Sequence, residues 1–336
     1  MINPLCLLVL ARPDDLHADA VIDLTESAGI KCVRMDPETA LVTSNSLTAY
    51  FDDASHSAQI QIGNELITAN DIGAIYCRNW NFPKAEEGAP IETHLQFHEA
   101  RTAMLGFFSL LKHKYWLNPP WIEDFVDNKI FQASSARALG LRIPKTLVTN
   151  DPARARAFWR AMKGKIIIKQ LSAVSLIDDS SSSGPSKDST QDIFGFYTSE
   201  VTADSLEYFD EIRHAPCLLQ EKIEKKVDVR VTVVGNKLFA HSIDSQKLSE
   251  SRIDFRRSLN LISQPIVVPD LVSQNLKLML QNWGIGFASC DFALTPEDEF
   301  VFFEANVTGN WLWLETADAH PILDSVVDEL AQRCRL

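Results

Sequence analysis

The chain has 336 residues, a length that predicts two or three domains. Hydrophobic residues make up 46% of it and charged residues 23%, so it can bury an ordinary globular core. Its net charge of −13 argues against a nucleic-acid partner, because phosphate contacts need a surplus of lysine and arginine. A basic peptide segment would be a more compatible partner.

The first third of the chain predicts an α/β domain. The apolar run at residues 5–10 is typical of a buried strand and is far too short to span a bilayer. Further elements are predicted at 15–28 (helix), 31–35 (strand), 47–52, 59–62 and 72–78 (strand-like alternation) and 91–113 (helix). Short parallel strands alternating with helices imply right-handed crossovers and a three-layer domain. Pro119 and Pro120 interrupt the pattern, so we place the end of this domain at residue 118.

The next hundred residues predict a central domain, 119–220. Its expected elements are helices at 123–140, 152–164 and 202–213, a strand at 165–171, a polar loop at 178–192, and hairpin arms at 166–176 and 193–198. Asp151 and Thr202 are the expected caps of two of these helices.

The last domain, 221–336, predicts an α+β unit with antiparallel sheets. Five strands are expected, at 218–222, 228–234, 237–242, 287–294 and 300–306, and the first of them begins just before the domain boundary. Gly235 and Asn236 form a tight turn between the second and third of them.

The last two strands carry the most informative acidic pattern. If Leu294 pairs with Glu299, Asp291 lies opposite Phe302, and the period of two places Asp291, Glu304 and Asn306 on one face. Converging carboxylates need a partner, and Mg²⁺ with nucleotide phosphates would supply one. The alternative is an outward polar face with solvated acids.

Two lysines and two further segments could bind an anion. Lys169 lies in a β-branched run and Lys129 at a helix start, where either could meet a phosphate, although an exposed edge strand would also explain Lys169. Asp228 and Arg230 share a strand face and could be only an ion pair. Arg256 lies in a basic loop. No glycine-rich phosphate loop, dinucleotide fingerprint, nucleophile elbow or zinc-protease motif is present.

Taken in order, these segments resemble the ATP-grasp fold. They are more closely similar to the ligases that make microviridin-type peptides (graspetides), and distantly to the ribosomal-protein glutamate ligases. The resemblance runs from Asn118 to Glu315 and depends on the segments 127–132, 139–144, 220–223, 228–230, 239–240, 245–246, 254–256, 303–306 and 309–315. Microviridin-type enzymes tend to have Tyr-x-Arg-Arg-Pro at the end of the front domain, whereas this chain keeps only Tyr76 and Arg78 of that pattern.

The resemblance implies a pre-ATP-grasp domain, a central domain and a C-terminal domain with the Mg-ATP site. It also implies roles for particular residues: Lys129 and Lys169 on the ATP phosphates, Glu221, Lys222 and Ile223 at the adenine, Asp228 at the ribose, Asp291, Glu304 and Asn306 on two Mg²⁺ ions, and Arg230 and Arg256 on the transferred phosphate or the substrate carboxylate.

The implied reaction is ATP-dependent activation of an Asp or Glu side chain in a ribosomally made precursor peptide. A Ser or Thr hydroxyl or a Lys amine of the same peptide then closes an ester or amide ring. A leader peptide would bind a hairpin and helix at 193–213, where Glu207, Asp210 and Glu211 could meet an arginine, although a solvated helix face is the alternative. A homodimer is a further expectation from the resemblance.

Two other functions stay open at this stage. One is a ligase that joins a free amino acid or small carboxylate to an amine, and the other is a non-catalytic nucleotide- or peptide-binding protein. The six cysteines are scattered and none has metal-site spacing, so we expect reduced thiols and a cytoplasmic protein.

Overall fold

The computed structural model describes residues 5–41, 45–54, 56–82, 84–171, 198–247, 252–255, 262–315 and 321–335. None of the helices in these ranges is long and apolar enough to cross a membrane.

The front of the chain contains a parallel sheet with strand order β2-β1-β6-β7. Its elements are β1 Cys6–Leu10, α1 Leu16–Ser27, β2 Cys32–Met35, β6 Ile72–Cys77, α2 Ile91–Leu110 and β7 Tyr115–Leu117. Leu7 and Val9 face the α1 side of the sheet, whereas Leu8 and Leu10 face α2. Burial on both faces explains the unbroken apolar run and confirms the three-layer prediction.

The region between β2 and β6 corrects the prediction of parallel strands. Strands β3 Ser46–Phe51, β4 His56–Ile62 and β5 Glu65–Thr68 form a separate antiparallel sheet in the order β3-β4-β5. The connections between these strands are only a few residues long. Such connections can join antiparallel strands, whereas a parallel crossover needs a dozen residues or more.

The central domain has an antiparallel sheet with strand order β10-β9-β11-β8. Its elements are α3 Glu123–Val126, α4 Lys129–Ala138, β8 Thr146–Thr149, α5 Pro152–Ala161, β9 Ile166–Lys169, β10 Ser199–Glu200 and β11 Cys217–Glu221. The predicted helix at 123–140 is two helices, because the Asn128 side chain caps α4 by accepting the Ile130 and Phe131 backbone N–H groups. Asp151 caps α5 as predicted.

One prediction for the middle of the chain is not tested, and another needs correction. The second hairpin arm, predicted at 193–198, lies outside the described residues except for Thr198, and the next two residues, Ser199 and Glu200, pair with β9. The predicted helix at 202–213 is a 3-10 helix, Asp204–His214, which Thr202 does not cap. The Thr202 hydroxyl instead lies 3.1 Å from the Ser205 hydroxyl.

The C-terminal domain has a five-stranded antiparallel sheet with strand order β14-β13-β12-β15-β16. Its elements are β12 Val227–Val234, β13 Lys237–Ile243, β14 Ser263–Pro265, α6 Asp270–Trp283, β15 Phe287–Leu294, β16 Phe300–Asn306 and α7 Ile322–Cys334. Apolar side chains of β12 and β15 pack with α4 and α6 on one face, so the polar side chains of these strands lie on the other. Helix α7 returns to the front sheet and packs against β6 and α1.

Asn118 joins the front sheet to the C-terminal sheet. Its side-chain oxygen accepts the backbone N–H groups of Gly286 and Phe287 at 3.0 and 2.9 Å. Its side-chain nitrogen donates to the backbone oxygens of Phe287 and Val307 at 2.7 and 2.8 Å. The residue is buried, and its three hydrogen bonds to Phe287 and Val307 are buried with it, so these three satisfy groups that water cannot reach.

We therefore expect Asn118→Ala to lower the free energy of unfolding by about 3 kcal/mol, because it leaves buried backbone groups without partners. Chemical denaturation measures the loss. The exposed Asn81 is the matched control, and Asn81→Ala should change stability by less than about 0.5 kcal/mol. Equal stability of the two variants would contradict this role of Asn118.

Candidate active site

The hairpin of β15 and β16 brings the predicted acidic residues together, but in a different register. Asp291 lies opposite Glu304, not opposite Phe302, and Ser289 lies opposite Asn306. Leu294 pairs with Phe300, and Phe303 is the extra residue of a bulge between the two parts of the register. The pairing of Leu294 with Phe300 shifts β16 by one residue from the predicted register, which alone would move Glu304 and Asn306 to the face opposite Asp291. The bulge at Phe303 adds a second shift of one residue, so the three side chains still share a face.

A row of charged residues crosses the sheet at this point. Arg230 on β12 pairs with Asp291 on β15, which pairs in turn with Glu304 on β16. The Arg230 Nη1 atom lies 2.7 Å from Asp291 Oδ1, and the two side chains are 9% and 11% exposed. Asn306 Nδ2 donates to Asp291 Oδ2 at 3.4 Å. The row places a guanidinium, two carboxylates and an amide next to one another.

Asp228 has a partner of its own. Lys225 Nζ contacts both of its carboxylate oxygens, at 2.7 and 2.8 Å, so the predicted alternative of an Asp228–Arg230 pair is wrong. Burial raises the pKa of Asp228, and the Lys225 ammonium opposes this shift.

The two predicted lysines lie near Glu304. Lys129 begins α4 and donates to the backbone oxygen of Gln170 at 3.0 Å, and its Nζ lies 4.0 Å from Glu304 Oε2. Lys169 Nζ lies 5.1 Å from the centre of the Phe303 ring. Burial lowers the pKa of Lys169, and so does Lys129, whereas Glu304 raises it. Lys169 is half-buried on a strand between two others, which rules out the exposed edge strand.

A cleft between the central and C-terminal sheets unites most of the predicted site. Seven predicted residues line it: Lys169, Glu221, Lys222, Ile223, Asp228, Asp291 and Glu304. Lys129 approaches this group through Glu304, and Arg230 and Asn306 approach it through Asp291. Arg256 lies outside the described residues.

The three acids predicted to bind a leader peptide are not at this cleft. Glu207, Asp210 and Glu211 are exposed on the 3-10 helix. Asp210 lies 3.4 Å from Arg156, and Glu211 lies 3.5 Å from His214.

Comparisons with known proteins agree with this geometry. No protein-family model and no curated protein matches the chain. Among solved structures, a Chryseobacterium gregarium RiPP-associated ATP-grasp ligase in complex with ADP and with a leader and core peptide has a TM-score of 0.85 at 25% identity, over 98% of this chain and 97% of that one. The macrocyclase MdnC from Microcystis aeruginosa MRC, bound to the precursor peptide MdnA, has a TM-score of 0.80 at 25% identity, over 97% and 99%.

A third solved structure, the macrocyclase MdnB from Microcystis aeruginosa MRC, is 28% identical, with a TM-score of 0.77 over 97% of this chain and 99% of that one. The similarity therefore covers all three regions of the chain, including the front domain. The chain is an ATP-grasp ligase.

Hydrogen bonds connect the loop after β16, which directly follows the acidic face of this ligase, to the front domain. Arg78 donates to the backbone oxygen of Thr308 at 2.9 Å and to Asn310 Oδ1 at 3.2 Å, and it pairs with Asp15 at 3.2 Å. Sequence reasoning named Arg78 only for its resemblance to a motif and did not single out Asp15. Arg78 is 230 and 232 positions from Thr308 and Asn310 and 63 positions from Asp15, so no spacing rule could have found these contacts.

His17 holds the next part of the same loop. Its Nε2 atom accepts the backbone N–H groups of Trp311 and Leu312, both at 3.2 Å, which requires that nitrogen to be unprotonated. The side chain is 13% exposed. Burial and then the Arg78 guanidinium lower the pKa of His17 to about 4, although Asp15 opposes them.

The His17 contacts should therefore make stability depend on pH. The folded-state pKa of about 4 is below the unfolded value of 6.5, so the contribution is complete above pH 6.5 and is lost as pH falls towards 4. Between pH 7 and pH 4 we expect the free energy of unfolding to fall by about 3 kcal/mol more in the native chain than in His17→Gln. Denaturant titrations at several pH values measure the difference. Parallel pH profiles of the two proteins would show that His17 is not the responsible group.

Proposed function

We propose that this ATP-grasp ligase uses Mg²⁺ and ATP to activate Asp or Glu side chains of a ribosomally made precursor peptide. It then joins them to Ser, Thr or Lys side chains of the same peptide as ester or amide crosslinks. The observation that carries the proposal is the cleft in which two lysines approach an acidic face, in a chain whose structural neighbours are macrocyclases and a ligase, two of them bound to peptides.

The lysines are the proposed phosphate ligands. Burial lowers the pKa of Lys169, and the nearby Lys129 ammonium lowers it further. An anion bound beside Lys169 would oppose both effects. The segment Glu221, Lys222 and Ile223 lines the same cleft and is the proposed adenine site, with Asp228 at the ribose.

Mg²⁺ suits the donors of the acidic face. Among the described residues, no three His, Cys, Asp or Glu side chains form a metal-binding group by themselves. Asp291, Glu304 and Asn306 supply two carboxylates and one amide, a partial oxygen set of the kind that Mg²⁺ completes with water and phosphate oxygens. When bound, Mg²⁺ neutralises the charge that develops on the phosphate oxygens.

The proposed reaction has two balanced steps. A peptide carboxylate oxygen attacks the γ-phosphorus of ATP, the bond to ADP breaks, and an acyl phosphate forms. A hydroxyl or amine of the same peptide then attacks the acyl carbon, loses its proton, and releases phosphate. The net change is one ATP converted to ADP and phosphate, and one water lost from the peptide. The enzyme contributes positioning and charge stabilisation.

Arg230 and Arg256 are the proposed stabilisers of the transferred phosphate or the substrate carboxylate. Arg230 is held by Asp291 at 2.7 Å, and its Nη2 atom lies 3.4 Å from the backbone oxygen of Asn310. Its orientation is therefore set before any ligand binds, which is the preorganisation that electrostatic stabilisation requires.

Further parts of the proposal concern the partner and the assembly. The leader peptide would bind near Glu207, Asp210 and Glu211, where Asp210 would exchange Arg156 for a peptide arginine. We also propose a homodimer in the cytoplasm, and domains at 1–118, 119–220 and 221–336.

The direct test is ADP release with Mg-ATP, in the presence and absence of precursor peptides encoded near the gene, with mass spectrometry of each peptide. Peptide-stimulated ADP release with loss of one water per ring would support the proposal. ADP release with free amino acids but with no peptide would indicate a small-carboxylate ligase. No ADP release under any condition would indicate a binding protein.

Glu304 is the better residue for testing the acidic face. Removing Asp291 would leave the buried Arg230 charge unpaired, a change that can cost about 3–5 kcal/mol of stability. We expect Glu304→Ala to fold and to lower peptide-dependent ADP release at least about 100-fold, because a phosphate-facing metal ligand is lost. Glu297→Ala, in the exposed turn of the same hairpin, is the matched control and should keep full activity. Near-native turnover by folded Glu304→Ala would contradict the assigned metal site.

A further inference from the structure

A second groove lies in the front domain, at the carboxyl ends of β6 and β7. Ligands of open parallel sheets bind in the crevice at this edge. The groove is separate from the cleft that holds the lysines and the acidic face. Its lining includes Arg78, Trp80, Arg101, Trp121, Glu123 and Thr308.

Aromatic packing and hydrogen bonds position the walls of the groove. Trp80 packs against Phe82, with 5.1 Å between the ring centres, and Trp121 packs against Trp116 at 4.9 Å. The buried Asn79, which also lines the groove, donates to Asp36 at 3.1 Å and accepts the backbone N–H of Asn81 at 3.0 Å. A ligand would therefore meet two fixed indole rings and would pay little to order the site.

Arg101 gives the groove a charge that calls for a partner. It is exposed on α2, and its guanidinium carbon lies 5.8 Å from the centre of the Phe82 ring. The ion pairs found within the described ranges do not include it, in a protein whose net charge is −13. A guanidinium that lies over an aromatic ring and has no ion-pair partner among the described residues matches a carboxylate.

The groove also borders the acidic face. Thr308 lines it and lies two residues after Asn306, a stretch of chain that spans at most about 7 Å. Arg78 holds the Thr308 backbone oxygen at 2.9 Å, so this edge is fixed relative to the front domain. An extended peptide that lies against Thr308 would have a residue only a few positions away at the acidic face.

We propose that this groove binds the segment of the substrate peptide next to the reacting residue, through an acidic side chain on Arg101 and an apolar side chain between Trp80 and Trp121. This inference rests on the proposed function for its choice of occupant. The acidic side chain held here is not the one that is activated. The groove would therefore select which carboxylate of the peptide reaches the phosphate site.

The first test measures binding without turnover. The probes are N-acetyl-Glu-Phe-amide and N-acetyl-Gln-Phe-amide, which differ only in the carboxylate, and ligand-detected NMR titration gives the dissociation constants. We expect the native protein to bind the Glu probe roughly tenfold more tightly than the Gln probe, and Arg101→Gln to abolish this preference.

The control for this test is Arg335→Gln. Arg335 is exposed and directly follows α7. The residues before it, Arg333 and Cys334, pack against Gly73 near the amino end of β6, away from the groove at the carboxyl end of that strand. Arg335→Gln should keep the tenfold preference, and thermal melting should show both variants folded. Equal binding of the two probes to the native protein would overturn the proposal. A preference that persists in Arg101→Gln would also overturn it, because the probe would then be bound elsewhere.

The second test uses a precursor peptide that stimulates ADP release. Arg101→Gln should raise the KM for this peptide roughly tenfold and change kcat by a smaller factor, whereas replacing one acidic residue of the peptide should make the native enzyme and the variant alike. An unchanged KM would overturn the proposal. If no peptide stimulates ADP release, the proposed function fails, and the probe titration still decides whether the groove binds a carboxylate.

Discussion

The buried pair of Arg230 and Asp291 is the constraint on which the rest of the site depends. Taking either charge out of water costs several kcal/mol, and the other must offset that cost at close range. The two residues meet because their strands pair directly, and the 2.7 Å separation is kept by the sheet and not by flexible loops. The opposite face of the same strands is apolar and packs with α4 and α6, which fixes the direction in which the charges point.

The pair also dictates the structure of the chain around it. Gly309 passes so close that a Cβ there would lie 2.7 Å from the Ser289 Cβ and 3.0 Å from Arg230 Nη2. Only a residue without a side chain allows the loop to follow β16 at this distance. The loop must then be held from outside, and Arg78 and His17 of the front domain bind its backbone at Thr308, Trp311 and Leu312.

Sequence patterns correctly predicted that the acidic side chains share a face, although the strand register used for that prediction was wrong. The predicted register was wrong, but the bulge at Phe303 restores the face on which Asp291, Glu304 and Asn306 lie. Strand periodicity is a local property, and so is the cap at Asp151, which is why these two features can be predicted from neighbouring residues. The bulge itself leaves no signal in the spacing, because it depends on how two strands meet.

Contacts between distant parts of the chain were beyond the reach of these patterns. Asn118 is bound to groups 168 to 189 positions away, and Arg78 to groups 230 and 232 positions away. In the sequence, Asn118 is only a residue before two prolines, and His17 is only one polar position of an amphipathic helix. Their roles follow from the requirement that buried backbone groups be hydrogen-bonded, which can be applied only after the elements have been packed.

These long-range contacts fix the position of the front domain relative to the acidic face. The loop that follows Asn306 takes its hydrogen bonds from α1 and from the end of β6, so the acidic face cannot shift relative to the front sheet without breaking them. Helix α7 adds a second connection, because it returns from the C-terminal domain to pack on β6. A substrate in contact with the front domain would therefore be held in a fixed relation to the acidic face. The reaction proposed above needs such a relation, because it depends on positioning and has no covalent intermediate on the enzyme.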